Sequence, residues 1–236
     1  MDRKLCILTG VGPETGTGAE IARYFSMNDY HVAMIARNEE NLKYLEKKYP
    51  NTTAYPCDVG IIEDFKETIN KIQVELGSAN VIIHNAPLGT RGPILDLSYK
   101  DLEDNFRVKT TALLVLSQMT LPKMLEKGSG TIIVTGNTAA ERGKDGWGFF
   151  AASKSAQKIL AESMAREFGP KGIHVAYIII DALIDTPRTR PRLAPDKPDH
   201  FFASPTHIAK EILNVVKQDR SAWSFRVELR PYGEYW

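Results

Sequence analysis

The chain has 236 residues, of which 43% are hydrophobic and 25% charged, and its net charge at pH 7 is +1. This composition predicts a folded globular protein and argues against intrinsic disorder. A near-zero charge without a Lys/Arg block disfavours nucleic acid or a membrane surface as a partner. No apolar stretch approaches the length of a membrane span.

The start of the chain and its cysteines bear on the compartment. The N-terminal apolar run is too short for a signal peptide and instead predicts a first strand. Cys6 and Cys57 are the only cysteines, and both lie in strand-like segments. They suggest packed thiols in a reducing compartment rather than a disulfide framework or a metal site. We therefore expect a cytoplasmic protein.

Strands and helices alternate along the whole chain, without internal repeats. Apolar runs predict strands at 4–9, 31–36, 52–56, 81–84, 130–135, 174–180 and 225–229. Helical periodicity predicts helices at 18–27, 39–49, 61–76, 98–126, 148–168 and 205–217. This order predicts a single domain over 1–236 of the α/β class. We expect a doubly wound Rossmann fold, whose seven-stranded, mostly parallel sheet carries helices on both faces.

The first predicted strand runs into the glycine-rich segment TGVGPETGTG at 9–18, and a helix follows. Glycines let the backbone turn sharply and approach a pyrophosphate, and the helix N-terminus offers free N–H groups and a positive dipole end. The alternative is a plain glycine-rich turn. The strand–loop–helix context favours a dinucleotide-binding loop that contains Gly10, Gly12, Gly16, Thr17 and Gly18.

This segment resembles the phosphate loop of the short-chain dehydrogenase/reductase family, which reads Thr-Gly-x-x-x-Gly-x-Gly. Gly12, Gly16 and Gly18 fit the family's glycine spacing. If Thr9 and Gly10 are instead the opening pair, the loop is two residues longer than usual, and both registers stay open. The resemblance extends over essentially the whole chain and implies a nicotinamide cofactor and a small-molecule substrate.

Arg37 follows the second predicted strand and bears on the choice of cofactor. An acidic residue there grips the ribose hydroxyls of NAD, whereas an arginine accepts the additional phosphate of NADP. The sequence therefore predicts NADP(H) rather than NAD(H), although Arg37 can also be a solvated surface residue and Glu14 in the loop mildly opposes NADP. The resemblance adds cofactor contacts at Asp58, Val59, Asn85, Ala86, Lys154 and Thr186.

The four catalytic positions of the family carry Asn, Ser, Tyr and Lys. By the resemblance they fall on Lys109, Asn137, Phe150 and Lys154. The i, i+4 spacing of residues 150 and 154 places them on one helix face. Phe150 has no ionisable proton, so the usual carbonyl acid is missing, while Lys154 can still hold the nicotinamide ribose. Asn137 can anchor a substrate, and Lys109 is a cation where an amide is expected.

Two further segments are predicted to border the substrate. Asp181 ends a strand, where it can present a charge to the substrate or merely form a turn. Residues 187–204 occupy the position of the family's substrate lid. Its arginines can recognise an anion or remain solvated, and its two phenylalanines are expected to cover an apolar pocket (Arg188, Arg190, Arg192, Phe201, Phe202). The segment 141–145 is expected to be a solvated loop.

Three functions fit this site. The first is an NADP(H)-dependent oxidoreductase that reduces an imine or iminium, whose electrophile needs no tyrosine acid. The second is a carbonyl dehydrogenase, with an activated carbonyl as a further candidate substrate, that uses another acid, such as Lys109 or a water held by Asn137. The third is a catalytically inactive NADP(H)-binding sensor or scaffold. Apolar residues in two helices further predict a homodimer or homotetramer (Leu113, Leu114, Leu116, Ile159, Leu160, Met164).

Overall fold

The strands form one sheet in the computed structural model, which describes residues 3–234. They are β1 (Lys4–Thr9), β2 (Tyr30–Ala36), β3 (Thr52–Pro56), β4 (Val81–His84), β5 (Gly130–Gly136), β6 (Ile173–Ile180) and β7 (Arg226–Leu229). Their order is β3-β2-β1-β4-β5-β6-β7, and every neighbouring pair is parallel. This confirms the predicted doubly wound Rossmann fold.

The helices cover both faces of the sheet. They are α1 (Thr17–Ser26), α2 (Glu39–Lys48), α3 (Ile62–Leu76), α4 (Tyr99–Phe106), α5 (Ala112–Glu126), α6 (Gly148–Phe168), α7 (Thr189–Leu193) and α8 (Pro205–Val216). Side-chain caps begin several of them: the Asn38 amide accepts from Asn41 N, and Ser98 and Asp101 form a reciprocal capping box. No helix within residues 3–234 combines the length and apolar character needed to cross a bilayer.

Two apolar cores flank the sheet. On one face, α3 contributes Phe65 and Ile69 to a cluster that includes α5 and α6. On the other face, Phe25 of α1 and Leu42 of α2 pack with residues of α8. The strand β6 is buried along its whole length, as expected for a central parallel strand with helices on both sides.

The helix predicted at 98–126 is two helices joined by a π-helical turn, Arg107–Thr111. Such a turn frees carbonyl groups from the regular hydrogen-bond ladder. Here the Val108 carbonyl accepts a hydrogen bond from His84 Nε2 at 3.1 Å, and the Lys109 carbonyl accepts one from Gln157 Nε2 at 2.9 Å. Periodicity alone does not show this interruption, because the partners come from β4 and α6.

Several apolar residues on which the predicted homo-oligomer rested are buried within the chain itself. Leu113, Leu116 and Met164, predicted as surplus apolar residues, are buried in the protein's own core. Ile159 and Leu114 remain exposed, at 59% and 38% of their surface. The exposed apolar surface of α5 and α6 is therefore smaller than the sequence suggested.

Candidate active site

The site lies where the strand order reverses, at the carboxyl ends of β1 and β4. A doubly wound sheet opens a crevice at this point because the helices following the two strands cover opposite faces. Two adjoining cavities of about 790 Å³ and 520 Å³ occupy the crevice and share Gly10, Gly12 and Pro87 in their walls. The larger runs toward Arg37 and the smaller toward Lys154. We call them the outer and the inner cavity.

The glycine loop forms the wall between the two cavities. Gly10 has a φ of +77°, and a Cβ on it would lie 2.5 Å from the Ala86 backbone nitrogen. A Cβ on Gly18 would lie 2.4 Å from the Gly10 carbonyl oxygen, whereas one on Gly12 would meet nothing within 4 Å. The close packing of Gly10 directly after β1 supports the longer register, in which Thr9 and Gly10 open the loop.

The N-terminus of α1 points into the inner cavity. Gly16 is its N-cap and provides no side-chain cap, and Thr17 and Gly18 line the cavity wall. Backbone N–H groups at an uncapped helix start are suited to a pyrophosphate. The open surface at Gly12 and the glycine contacts behind it therefore fit a dinucleotide.

A hydrogen-bond network ties together the carboxyl ends of β1, β4 and β5. Asn85 donates to the Gly10 carbonyl and accepts from the Thr135 hydroxyl, each at 2.9 Å. His84 Nε2 faces the Val108 carbonyl, so the Nε2 carries the proton and Nδ1 accepts from Thr9 Oγ1 at 3.0 Å. Burial, helped by the positive charge of Lys154, lowers the pKa of His84 to about 3. His84 is therefore a packed neutral residue.

Arg37, Asp58 and Val59 line the outer cavity together. The Arg37 side chain is 73% exposed, and its guanidinium lies 3.8 Å from the Asp58 carboxylate. Glu14, which was expected to oppose NADP, pairs with Lys48 and accepts a 2.8 Å hydrogen bond from Tyr44. These contacts with α2 lower the pKa of Glu14, and the Lys48 charge offsets that of the carboxylate. Glu14 therefore does not stand against the binding of NADP.

Phe150 lies at the inner cavity with its ring 6% exposed. The Trp147 ring meets it edge-on, with the ring centres 5.5 Å apart. Lys154 follows one helical turn later and lines the same cavity. The structure thus brings residues 150 and 154 to the same cavity, as their spacing predicted, with a phenyl ring at position 150.

Lys109 is placed differently from the other three predicted catalytic residues. Its side chain is fully buried, and its ammonium donates to Asn105 Oδ1 at 2.6 Å and to Ser153 Oγ at 2.9 Å. It lies 4.1 Å from the centre of the Phe150 ring and belongs to the wall of neither cavity. Burial, and then the positive charges of Lys154 and Arg91, lower its pKa to about 7.

Lys154 is held by two acceptors. Its ammonium donates to the Thr135 carbonyl at 2.8 Å and to Gln157 Oε1 at 2.9 Å. Gln157 in turn donates to the Lys109 carbonyl, which the π-helical turn leaves free. Burial lowers the pKa of Lys154 to about 7. The amine is fixed at the cavity wall, with its charge reduced near neutral pH.

Asn137 and Asp181 both line the inner cavity, at the ends of β5 and β6. The Asn137 amide oxygen accepts from the Ala139 N–H at 3.2 Å, which leaves its amide N–H₂ available to a substrate. The Asp181 carboxylate accepts from the Thr138 hydroxyl at 2.8 Å and pairs with Arg230 at 3.3 Å. Thr186, the predicted cofactor contact, instead hydrogen-bonds Thr189 at 2.7 Å and lines neither cavity.

Sequence and fold comparisons relate the chain to known proteins. A family model for short chain dehydrogenases matches residues 4–196. The chain belongs to the short-chain dehydrogenase family. It is accordingly an oxidoreductase. An uncharacterised short-chain dehydrogenase/reductase of Sinorhizobium fredii is 29% identical over 198 residues, which cover 81% of this chain and 78% of that relative.

Solved structures of short-chain dehydrogenases share the fold. One from Rhodopseudomonas palustris is 29% identical, with a TM-score of 0.81 over 98% of this chain and 100% of that one. L-Sorbose reductase from Gluconobacter frateurii, solved with NADPH and L-sorbose, has a TM-score of 0.85 at 20% identity over 98% of each chain. The second likeness concerns the fold alone.

The segment 187–204, predicted to be a substrate lid, is anchored at its ends. Ile184 and Ala203 form an isolated parallel bridge. Arg190 pairs with Asp185 at 3.0 Å and with Asp199 at 2.8 Å, and its guanidinium lies 4.3 Å from the Phe202 ring centre. Arg190 therefore ties this segment to itself and to Asp185, while Arg188 lines the outer cavity and Arg192 is exposed.

Three residues of the inner cavity were missed by the sequence reasoning. Arg91 and Trp147 line it from the segments that follow β4 and precede α6, and Glu234 lines it from the segment after β7. One Glu234 carboxylate oxygen is buried without a hydrogen-bond partner among the described residues. Arg91 lies in the loop that follows β4, and a loop at the carboxyl end of a strand is where a ligand-binding residue is expected. No local pattern marks Glu234, which reaches the site only through the fold.

Proposed function

We propose that the protein is an NADP(H)-dependent oxidoreductase that reduces an imine or iminium, or an activated carbonyl, of a small molecule. The single observation that carries this proposal is Phe150, a phenyl ring beside Lys154 at the inner cavity. A site that binds the cofactor but has no tyrosine hydroxyl favours substrates whose electrophile is already activated. An iminium carbon is such an electrophile, because hydride delivery to it builds no alkoxide.

The cofactor assignment rests on the fit of the crevice. The open backbone at Gly12, the uncapped start of α1 and the Arg37 guanidinium lie along two joined cavities. Arg37 suits the additional phosphate of NADP, since guanidinium–phosphate contacts are charge-assisted and can be bidentate. A protein of the same fold, L-sorbose reductase, is known with NADPH bound. NADPH, when bound, supplies the hydride.

The remaining residues position the substrate and manage charge. Lys154 is held at the cavity wall by Thr135 and Gln157, where it can hydrogen-bond a ribose hydroxyl. Asn137 presents its amide N–H₂ to a substrate acceptor. Lys109 lies behind the Phe150 ring and is bonded to Asn105 and Ser153, which disfavours it as a substrate acid. For a carbonyl substrate, a water held by Asn137 is the better proton source.

The experiment that tests the proposal is a turnover screen with NADPH. Cyclic imines, aldehydes and simple ketones are supplied in turn, and consumption of NADPH is followed by its absorbance. We expect reduction of cyclic imines at rates well above those of unactivated ketones. Equal rates on simple ketones would contradict the proposal and favour an unidentified acid. NADPH binding without turnover of any substrate would favour a sensor or scaffold.

The expected setting follows from the same residues. Cys6 and Cys57 are both unpaired thiols, which suits a reducing compartment such as the cytoplasm. We propose a homo-oligomer there, because Ile159 and Leu114 leave exposed apolar surface on α6 and α5.

A further inference from the structure

We infer that the inner cavity recognises an anionic substrate, and that Arg91 binds its carboxylate beside the reacting carbon. The inference rests on the proposed function and deepens it by naming the substrate class. It commits to a 2-imino or 2-oxo acid, in which the carboxylate is bonded to the carbon that accepts the hydride. Three observations support it. They are the geometry of Arg91, the balance of charge in the cavity, and the engagement of the lid arginines elsewhere in the structure.

The Arg91 guanidinium lies over an aromatic surface. Its guanidinium carbon lies 3.5 Å from the Trp147 ring centre and 5.7 Å from the Phe150 ring centre. This contact holds the guanidinium at the aromatic wall, and no hydrogen bond within residues 3–234 occupies its N–H groups. Those groups can therefore bind a carboxylate in a bidentate manner. Phe150 marks the catalytic position, so the bound carboxylate lies next to the reacting carbon.

No carboxylate neutralises Arg91 within the described part of the chain. Its contacts there are the two aromatic rings. Partial burial lowers the pKa of Arg91, because the charge is removed from water without a counter-ion. An arginine in this setting gains more from an incoming anion than a fully solvated arginine does.

The rest of the inner cavity is also short of negative charge. Arg142 and Lys144 line it and make no salt bridge within residues 3–234. Of the two acids in the wall, Asp181 is already paired with Arg230 and bonded to Thr138. Burial and the nearby Asp181 raise the pKa of Glu234, while Arg230 and Lys144 act in the opposite direction. The cations in and beside the wall therefore outnumber these two acids. The balance therefore favours an anion.

The cations of the lid do not supply this recognition. Arg190 is bound to Asp185 and Asp199, and Arg188 lies at the outer cavity. The segment at 141–145, expected to be a plain solvated loop, instead sends two cations to the cavity wall. Its Glu141 turns away and pairs with Lys158 and Arg226. We therefore assign anion recognition to Arg91 and its neighbours rather than to the lid arginines.

The test compares each acid with a neutral analogue. One pair is Δ1-pyrroline-2-carboxylate and 2-methyl-1-pyrroline, and the other is pyruvate and methyl pyruvate. Each is assayed with NADPH on the wild type, Arg91→Gln and Arg91→Lys. Arg166→Gln is the control, since it removes an exposed charge about 18 Å along α6 from Lys154. Calorimetric titration of pyruvate into the protein–NADP⁺ complex gives a binding readout that is independent of turnover.

We expect Arg91→Gln to lower kcat/KM for the acids by about 10- to 100-fold and to weaken pyruvate binding similarly. The neutral analogues and the NADPH affinity should change little, Arg91→Lys should be intermediate, and the control should match the wild type. Equal losses on acids and neutral analogues would overturn the inference, as would pyruvate binding that Arg91→Gln does not weaken. Arg91-dependent pyruvate binding without any turnover would support anion recognition and count against the proposed function alone.

Discussion

The Lys109 ammonium lies 4.1 Å from the centre of the Phe150 ring. Lys154 follows Phe150 by one turn of α6. The ring is attracted to the cation through its π face. The same two amines would stabilise a phenolate at this position. Under the proposed function, these surroundings would suit an acidic phenol, whose hydroxyl the Phe150 ring does not have.

Restoring that hydroxyl should create activity on ketones. For Phe150→Tyr we expect kcat/KM for a simple ketone to rise, by up to about 100- to 10,000-fold if the new acid is fully effective. The gain should be smaller where Lys109 and Asn137 position the ketone imperfectly. A cyclic imine should change far less. Steady-state kinetics on both substrates would check this, and a wild type that already equals the variant on ketones would contradict it.

Arg37 should determine the choice between the two nicotinamide cofactors. NADPH should bind the wild type more tightly than NADH, because only NADPH carries the phosphate that Arg37 can pair with. Arg37→Asp should reverse the order, since two carboxylates would then face each other at residues 37 and 58 and repel that phosphate. Calorimetric titration measures all four affinities. Equal affinities of the wild type for both cofactors would refute this role.

Two glycines of the loop should respond differently to alanine. Gly18→Ala places a Cβ 2.4 Å from the Gly10 carbonyl oxygen, so the backbone must shift. We expect lower stability and weaker NADPH binding. Gly12→Ala meets nothing within 4 Å and should leave stability unchanged while hindering the approach of the pyrophosphate. Urea denaturation and NADPH titration separate the two effects, and equal stability losses in both variants would be the contrary result.

Lys109 and Lys154 should make stability depend on pH. Burial lowers the pKa of each from 10.5 to about 7 in the folded protein. Between pH 7 and about 9 the unfolded chain therefore binds more protons, so the free energy of unfolding should rise with pH, by up to about 1.4 kcal/mol per pH unit for each amine. Below pH 7 both amines are protonated in the folded and in the unfolded protein. They then no longer make the free energy of unfolding depend on pH. Above about pH 9 the raised pKa values of Cys6 and Tyr30 act in the opposite direction.

Urea denaturation without cofactor at several pH values checks this dependence. Lys154→Met should flatten the rise between pH 7 and 9, and Lys109→Met should flatten it as well. Lys66→Met removes a lysine that is 44% exposed on α3 and should keep the slope of the wild type. A slope unchanged in Lys154→Met would show that this amine is not buried as described.

Assembly should depend on Ile159. The residue is 59% exposed on α6, and Leu114 on α5 is 38% exposed. We expect a homodimer or homotetramer by light scattering at micromolar concentration. Ile159→Glu should shift it toward the monomer, because a charge would be buried at the interface. Glu162→Gln, three residues further along α6, serves as a polar control. A monomeric wild type would contradict the expectation.

The sequence by itself determined the class of fold and the absence of a hydroxyl at position 150. Alternating apolar strands and amphipathic helices leave few arrangements for a parallel sheet, and Gly10 to Gly18 mark its first turn. Phe150 follows from residue identity, because no folding supplies a hydroxyl that the side chain lacks. These features are local, so the residues themselves carry them.

Only the tertiary structure decided which charges are available. Glu14 is offset by Lys48, Arg190 by the carboxylates of Asp185 and Asp199, and Lys109 turns into the space behind Phe150. Arg91, in contrast, meets Trp147 across 56 positions of sequence and finds no acid among the described residues. Periodicity predicts which face of an element is buried. It does not predict the partner of an ion, because that depends on distances between segments that only the folded chain brings together.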